Sequence, residues 1–163
     1  MIDQLTIERI GLIHPIIRGE LTNYYIELSS MLSKNCMLRF SHTYRSPEEQ
    51  DILYKKRPKV TNAKGWQSIH NYGLAFDIVL LYDKNKDGKY ETPSWTIDDN
   101  WLTVVKYFKS KGYEWGGDWK KLKDAPHFQK AFGLTWQHMK DMIDTKQYTV
   151  LNGIKYINIH NLN

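Results

Sequence analysis

The sequence predicts an α+β domain: a small antiparallel sheet with flanking helices. Two patterns predict it. Segments with apolar residues at helical spacing mix with short alternating or wholly apolar runs, in no regular strand–helix repeat. Near the C-terminus, two apolar runs flank Asn152-Gly153, a two-residue turn that joins antiparallel neighbours.

Each element has a local reason. Residues 6–10 read as a short helix that breaks at Gly11. Residues 15–32 carry Ile17, Leu21, Tyr24, Tyr25, Leu28, Met31 and Leu32 at helical spacing, with Pro15 in the first turn, where its missing N–H is harmless. Residues 37–44 alternate: Leu38, Phe40, His42 and Tyr44 point one way, Arg39, Ser41, Thr43 and Arg45 the other. Ser46-Pro47-Glu48-Glu49 is a helix start, and the helix runs to about Lys55. Residues 58–67 read as a loop and residues 73–82 as a strongly apolar strand. Asp98 opens a helix that ends at Gly112. Residues 113–115 and 127–129 are short strands, 135–145 a helix, and 148–157 the hairpin, expected to extend the sheet.

At 163 residues the chain is expected to be one domain, residues 1–163, with the hairpin at about 148–158. It carries 23 Lys and Arg against 18 Asp and Glu, a net charge of +5 that suits an anionic partner such as a cell wall. No Lys/Arg run exceeds Lys55-Lys56-Arg57, and there is no phosphate loop or paired-cysteine finger, so nucleic acid is not the expected partner. The single cysteine, Cys36, allows no internal disulfide and no cysteine-rich zinc site. No apolar run reaches the roughly 18 residues of a membrane span. Asp3, Glu8 and Arg9 interrupt any secretory h-region, so the expectation is synthesis in a cytoplasm without a signal peptide, with release or export before any work outside. A monomer is expected.

Asp77 is the most informative residue, because its run is otherwise apolar and a buried carboxylate needs a partner charge or a metal. A buried arginine or an edge position would also satisfy it. His70 lies seven residues earlier, so on one straight strand the two would face opposite ways. Asn71-Tyr72-Gly73 supplies a turn that brings them together. Downstream, Pro126 disfavours helix before it and places Asp124 and His127 on a loop entering a strand. Two histidines and a carboxylate make a three-ligand zinc set with an open position, and Asp124 is placed to move a proton. On spacing alone, packed or surface roles for both histidines stay open.

The motif S-x-H-x-x-G-x-A-x-D at residues 68–77, followed by D-x-P-H-F at 124–128, resembles the zinc peptidase family that contains D-Ala-D-Ala carboxypeptidases and phage L-alanyl-D-glutamate endolysins. Arg45-Ser46 with Gln50 and Tyr54, and the segment Trp115-Gly116-Gly117-Asp118-Trp119, match the same family, and the likeness spans residues 7–132. The resemblance implies a hedgehog/DD-peptidase-like fold and a peptidoglycan stem peptide as substrate. It implies that His70, Asp77 and His127 bind Zn²⁺ and that Asp124 is general base and acid. Arg45 would steady the oxyanion or a substrate carboxylate, with Ser68, Gln50 and Trp115 as substrate contacts. The carboxypeptidase branch carries Glu in an E-x-x-H pattern, whereas this chain has Asp124, which favours the L-Ala–D-Glu endopeptidase branch. A D-Ala-D-Ala carboxypeptidase and a non-catalytic zinc domain that binds wall are the alternatives.

Asp83, Asn85, Asp87 and Glu91 fit the start of a calcium loop, with Gly88 at the sharp turn, so Ca²⁺ is a second possible ion. Ser94 stands where an EF-hand wants bidentate Glu, and three lysines oppose a cation. His42 is expected to pack beside Leu38 and Phe40, and Trp95, Trp101 and Trp136 to lie in the core. Trp66 and Trp119 are expected to line a peptide cleft with Trp115, and Cys36 to be a small buried hydrophobe.

Overall fold

The computed structural model describes residues 1–160. Helix α1 (Gln4–Ile10) is capped by Asp3, and α2 (Pro15–Ser29) by His14, whose Nδ1 accepts the Ile16 N–H. Strand β1 (Cys36–His42) leads to α3 (Pro47–Lys55). There Ser46 and Glu49 form the reciprocal capping box written in the sequence, with hydrogen bonds of 3.0 and 2.8 Å. A 3-10 turn (Ile69–Tyr72) precedes β2 (Ala75–Tyr82), followed by β3 (Thr92–Ser94) and α4 (Asp99–Ser110). Short strands β4 (Glu114–Trp115) and β5 (His127–Gln129), then α5 (Trp136–Asp144) and the hairpin of β6 (Tyr148–Leu151) and β7 (Ile154–Ile157), complete the chain.

Strand β2 organises the sheet. It pairs antiparallel with β1 along one edge, and with β5 and β3 on the other; β4 pairs outside β5. Its side chains alternate between two faces. Phe76, Ile78 and Leu80 enter the main core with residues of α2 and α4. Phe76 stacks on Phe40 at 4.3 Å and on Phe128 at 5.5 Å, and Phe108 of α4 closes edge-on at 5.0 Å. The opposite face carries Asp77, then Val79 and Leu81 in a small cluster with Met37. The core therefore fixes which way Asp77 points.

Five features differ from the expectations. The alternation of β1 breaks at Ser41, where a bulge sets His42 opposite Asp77. That one-residue slip moves His42 from the Phe40 face to the Asp77 face, with 62% of its side chain exposed, so it does not pack in the core. The hairpin forms its own two-stranded sheet rather than extending the first. It docks through His14 Nε2, which donates to Ile157 O at 2.7 Å, and through the Tyr156 hydroxyl, which donates to Leu12 O. Trp95 is exposed, while Trp101 is buried and Trp136 packs against the core. Strand β3 was not anticipated, and α2 stops at Ser29, short of residue 32. Cys36 is buried, and burial pushes its thiol up to about 11.

Asp3 ties α1 to the sheet. Its carboxylate accepts from Thr6 and takes both Nε and Nη2 of Arg39 at 2.9 and 2.8 Å. Burial pushes this carboxyl up, but the hydrogen bonds from Arg39 and Thr6 outweigh it and hold the group below its ordinary value. A lowered folded value means the stabilisation is present above the unfolded value of about 3.9 and is lost as pH falls below it. Asp3→Asn is expected to cost about 1–3 kcal/mol in urea unfolding at neutral pH. It should also flatten the loss of stability below about pH 4 relative to the parent; an unchanged acid limb would remove Asp3 as its source.

Candidate active site

The site begins as a row across three strands. His42, Asp77 and His127 face one another through the pairings of β1 with β2 and of β2 with β5. Directly opposed residues in such a sheet have Cβ atoms about 4.5–5.5 Å apart, so the register alone gathers these three. His70 comes from the 3-10 turn below. Ser68 caps that turn by accepting the His70 N–H, and Gly73 ends it at φ +69°. A side chain on Gly73 would meet His14 N at 2.8 Å, so both the conformation and the space require glycine.

The donors of both rings are already used. His70 Nδ1 lies 2.7 Å from Thr43 O, which can only accept, so the proton is on Nδ1 and the Nε2 lone pair points at Asp77. His127 Nε2 lies 2.8 Å from Gln129 Oε1. The Gln129 amide orientation is fixed because its Nε2 donates to the Glu114 carboxylate at 3.0 Å, so His127 carries its proton on Nε2 and turns the Nδ1 lone pair inward. His70 Nε2 and His127 Nδ1 each lie 3.2 Å from the same Asp77 oxygen. With both rings neutral, three acceptor atoms converge without a hydrogen between them, and a metal ion or a further proton relieves that. All three ligand atoms lie within 4.8 Å of one another, and 3.2 Å matches the roughly 3.3 Å edge of a tetrahedron with ~2.0–2.1 Å metal–ligand arms. The donor set, two imidazoles and one carboxylate, fits a divalent transition metal, with Thr43 and Gln129 as the outer partners that orient the rings.

The charges agree. Burial pushes the Asp77 carboxyl up, but the neighbouring His70, and the hydrogen bonds that both rings donate once protonated, win, and it lies well below the carboxylate range. Burial lowers the His127 imidazole, and the contact with Asp77 more than reverses this, so its value is raised. Asp124 is the opposite case: burial, then the like charge of Asp77, raise its carboxyl. It is half exposed, with an oxygen 4.0 Å from His127 Nδ1.

Asp124, Arg45, Gln50 and Ser68 line one cavity of about 500 Å³ together with the three clustered residues. Arg45 is the one Arg or Lys lining it among the described residues, and its Nη1 donates to the buried Gln50 Oε1 at 3.0 Å. Asn71 fastens this strand end to the His70 turn by donating to Arg45 O at 3.0 Å. Trp115 is placed differently from the expectation. It does not line the cavity; its indole donates to Ala125 O at 2.7 Å and packs against the core. Trp119 does line the cavity, 5.1 Å from the His127 ring, whereas Trp66 tilts onto Tyr72 away from it.

The two glycines of this segment have steric reasons. A Cβ on Gly116 would sit 2.3 Å from Asp124 O, and one on Gly117 would sit 2.2 Å from the Trp115 ring. The loop bearing Asp124 can lie where it does only because residue 116 has no side chain. Sequence reasoning missed Gln129 and Thr43. Gln129 could have been found, since it stands two residues after His127 on the same strand face. Thr43 acts through its carbonyl, which leaves no side-chain signal. In the segment 83–91, Asp83 accepts the N–H groups of Asp87 and Gly88, Asn85 accepts that of Asp87, and Asp87 accepts that of Lys89. Glu91 is exposed.

The peptidoglycan L-alanyl-D-glutamate endopeptidase CwlK of Bacillus subtilis is 38% identical over 133 residues, 72% of this chain and 72% of the relative. This chain belongs to the M15 peptidase family. The family model for D-alanyl-D-alanine carboxypeptidase matches residues 61–130, the stretch that holds His70, Asp77, Asp124 and His127. L-alanyl-D-glutamate peptidase of Listeria phage A118 is 32% identical over 108 residues, covering 59% of this chain and 36% of that longer protein. The crystal structure of Serratia marcescens L-Ala D-Glu endopeptidase ChiX matches with a TM-score of 0.53 at 27% identity, over 78% of this chain and 87% of that one. The M15 fold carries a metal, and the acceptor cluster on β2, β5 and the 3-10 turn is where this member can hold it.

Two outcomes follow from the geometry. Elemental analysis should find one divalent transition-metal ion per chain, falling to background in His70→Ala while the circular dichroism spectrum is kept; full metal content in that variant would show that the ion sits elsewhere. Gly116→Ala should displace Asp124 with metal content intact and, if Asp124 takes part in the reaction, lower kcat about 10²-fold, the size expected for a shift on the order of 1 Å.

Proposed function

We propose that this chain is a zinc-dependent endopeptidase that cuts the L-Ala–D-Glu bond of peptidoglycan stem peptides. The observation that carries the reading is the cluster of His70, Asp77 and His127, whose ring lone pairs and carboxylate converge, with a half-exposed Asp124 at its rim. The named activities of CwlK, the phage peptidase and ChiX support the choice of bond. No helix among the described residues is long and apolar enough to cross a membrane, and the net charge of +5 suits approach to an anionic wall.

Zinc, when bound, supplies Lewis-acid polarisation and an acidified water. The chain's own residues do the rest. His70 and His127 present lone pairs because Thr43 and Gln129 hold their protons. Asp124 accepts a proton from the attacking water and delivers it to the amide nitrogen as the C–N bond breaks. Its raised pKa suits both halves of that transfer, since the group must hold the proton between them. Arg45, steadied by Gln50, offers the cavity's guanidinium to the carbonyl oxygen as negative charge develops there. Ser68 keeps the turn that sets His70.

An endopeptidase needs room on both sides of the scissile bond. A carboxypeptidase needs a closed end just beyond it. Here a second cavity continues past Asp124, which favours the endopeptidase over the D-Ala-D-Ala carboxypeptidase alternative. The test is a digest of purified peptidoglycan by zinc-loaded protein, read by mass spectrometry. New N-terminal D-Glu is expected, and release of free D-Ala would move the assignment to carboxypeptidase. Asp124→Ala should keep its zinc and lose about 10²–10⁴-fold in kcat. Undiminished cleavage by that variant would remove Asp124 from the mechanism, and no cleavage by the zinc-loaded parent would favour a binding domain.

A further inference from the structure

The second cavity, of about 640 Å³, shares Val60, Thr61, Ala63, Trp119 and Asp124 with the first, so the two form one trough that passes over Asp124. His70, Asp77 and His127 line only the first part; Lys59 and Lys123 line only the second, where Asp124 is the sole acid. Neither lysine pairs with a carboxylate among the described residues. Lys59 Nζ is held 5.9 Å over the Tyr54 ring, which limits its wandering. Beside Lys123, Leu122 takes φ +50°, unusual for a leucine, and 77% of it is exposed on the wall of the same cavity. Strain of that kind persists where the surroundings enforce it, and it is frequent at ligand-binding segments.

We infer that this second cavity is the subsite for the leaving side of the peptide, and that Lys59 and Lys123 bind the carboxylate of D-Glu that does not continue the chain. The inference rests on the endopeptidase reading above. Its direction comes from the proton: Asp124 protonates the leaving amine, so the residue that owns that amine lies on the Asp124 side of the trough. Its ligand comes from the chemistry of the bond. A glutamyl residue whose amine is in the scissile amide has two carboxyl groups, and only one can carry the peptide onward. The other is an anion a few bonds from the cut. Arg45 is already committed to the carbonyl side, which leaves the two lysines for it.

The experiment compares two synthetic stem peptides, one with that carboxyl free and one with it as the carboxamide. The parent should prefer the free acid by about tenfold in kcat/KM, the size two exposed ion pairs allow. Lys59→Gln with Lys123→Gln should bring the ratio close to one, and the paired Lys→Arg changes should restore it. A parent without preference, or a Gln variant that keeps it, would overturn the subsite while leaving the endopeptidase reading intact. Cleavage of neither peptide between L-Ala and D-Glu would overturn that reading, and the subsite with it.

Discussion

Everything in this molecule turns on Asp77 Oδ1, which two imidazole lone pairs approach to 3.2 Å with no hydrogen between them. With both rings neutral and no metal bound the arrangement is repulsive, and burial worsens it by removing water from the charge. It holds because each group is fixed from behind: His70 by Thr43 O, His127 by Gln129 and Glu114, and Asp77 by the strand it belongs to. The energy stored in that convergence is what a bound metal releases, so folding and metal affinity are linked through the same few atoms.

Strand alternation makes this possible in so small a sheet. Phe76 and Phe128 stack in the core, and their neighbours Asp77 and His127 must therefore face the other way. The aromatic row and the ligand row are two faces of one register. A slip of β5 by one residue against β2 would turn His127 into the core and Phe128 out of it, so the apolar packing that stabilises the fold also aims the site. Losing such a ring costs about 3–5 kcal/mol, far more than any single contact among the ligands themselves can offset at the surface. The core therefore dictates the geometry, and the metal residues follow it.

Much of this was legible in the sequence, for reasons that divide cleanly. Asp77 stood out because a charge inside an apolar strand is costly, and the turn at Asn71-Tyr72-Gly73 followed from the need to bring His70 round. The capping box at Ser46 and the Asn152-Gly153 hairpin are local, and local signals survive into the fold. What failed was non-local. The bulge at Ser41 turned His42 from the core toward Asp77, and nothing in an alternating pattern announces where the alternation stops. The hairpin looked like a sheet extension because its strands are sound, but the partner of a strand is chosen by tertiary packing, here through His14 and Tyr156. Trp115 looked like a substrate contact because it borders the motif, yet its indole is needed to hold Ala125.

The division of labour between buried and exposed groups has a chemical logic. A metal needs donors at fixed separations, so His70, Asp77 and His127 come from a sheet and a capped turn and are largely buried. Asp124, the proton carrier of the proposed reaction, would have to meet both water and a leaving group, and it stands on a loop, half exposed, at the rim. Aspartate is one methylene shorter than the glutamate of the carboxypeptidase branch, and its backbone must lie correspondingly closer to the metal residues. Gly116 is what permits this, because any side chain there would collide with Asp124 O. Trp115 then lies across Gly117 and clamps Ala125 from the other side. The segment Trp115-Gly116-Gly117 thus sets where Asp124 stands: two glycines leave room for its backbone and one indole fastens the residue after it.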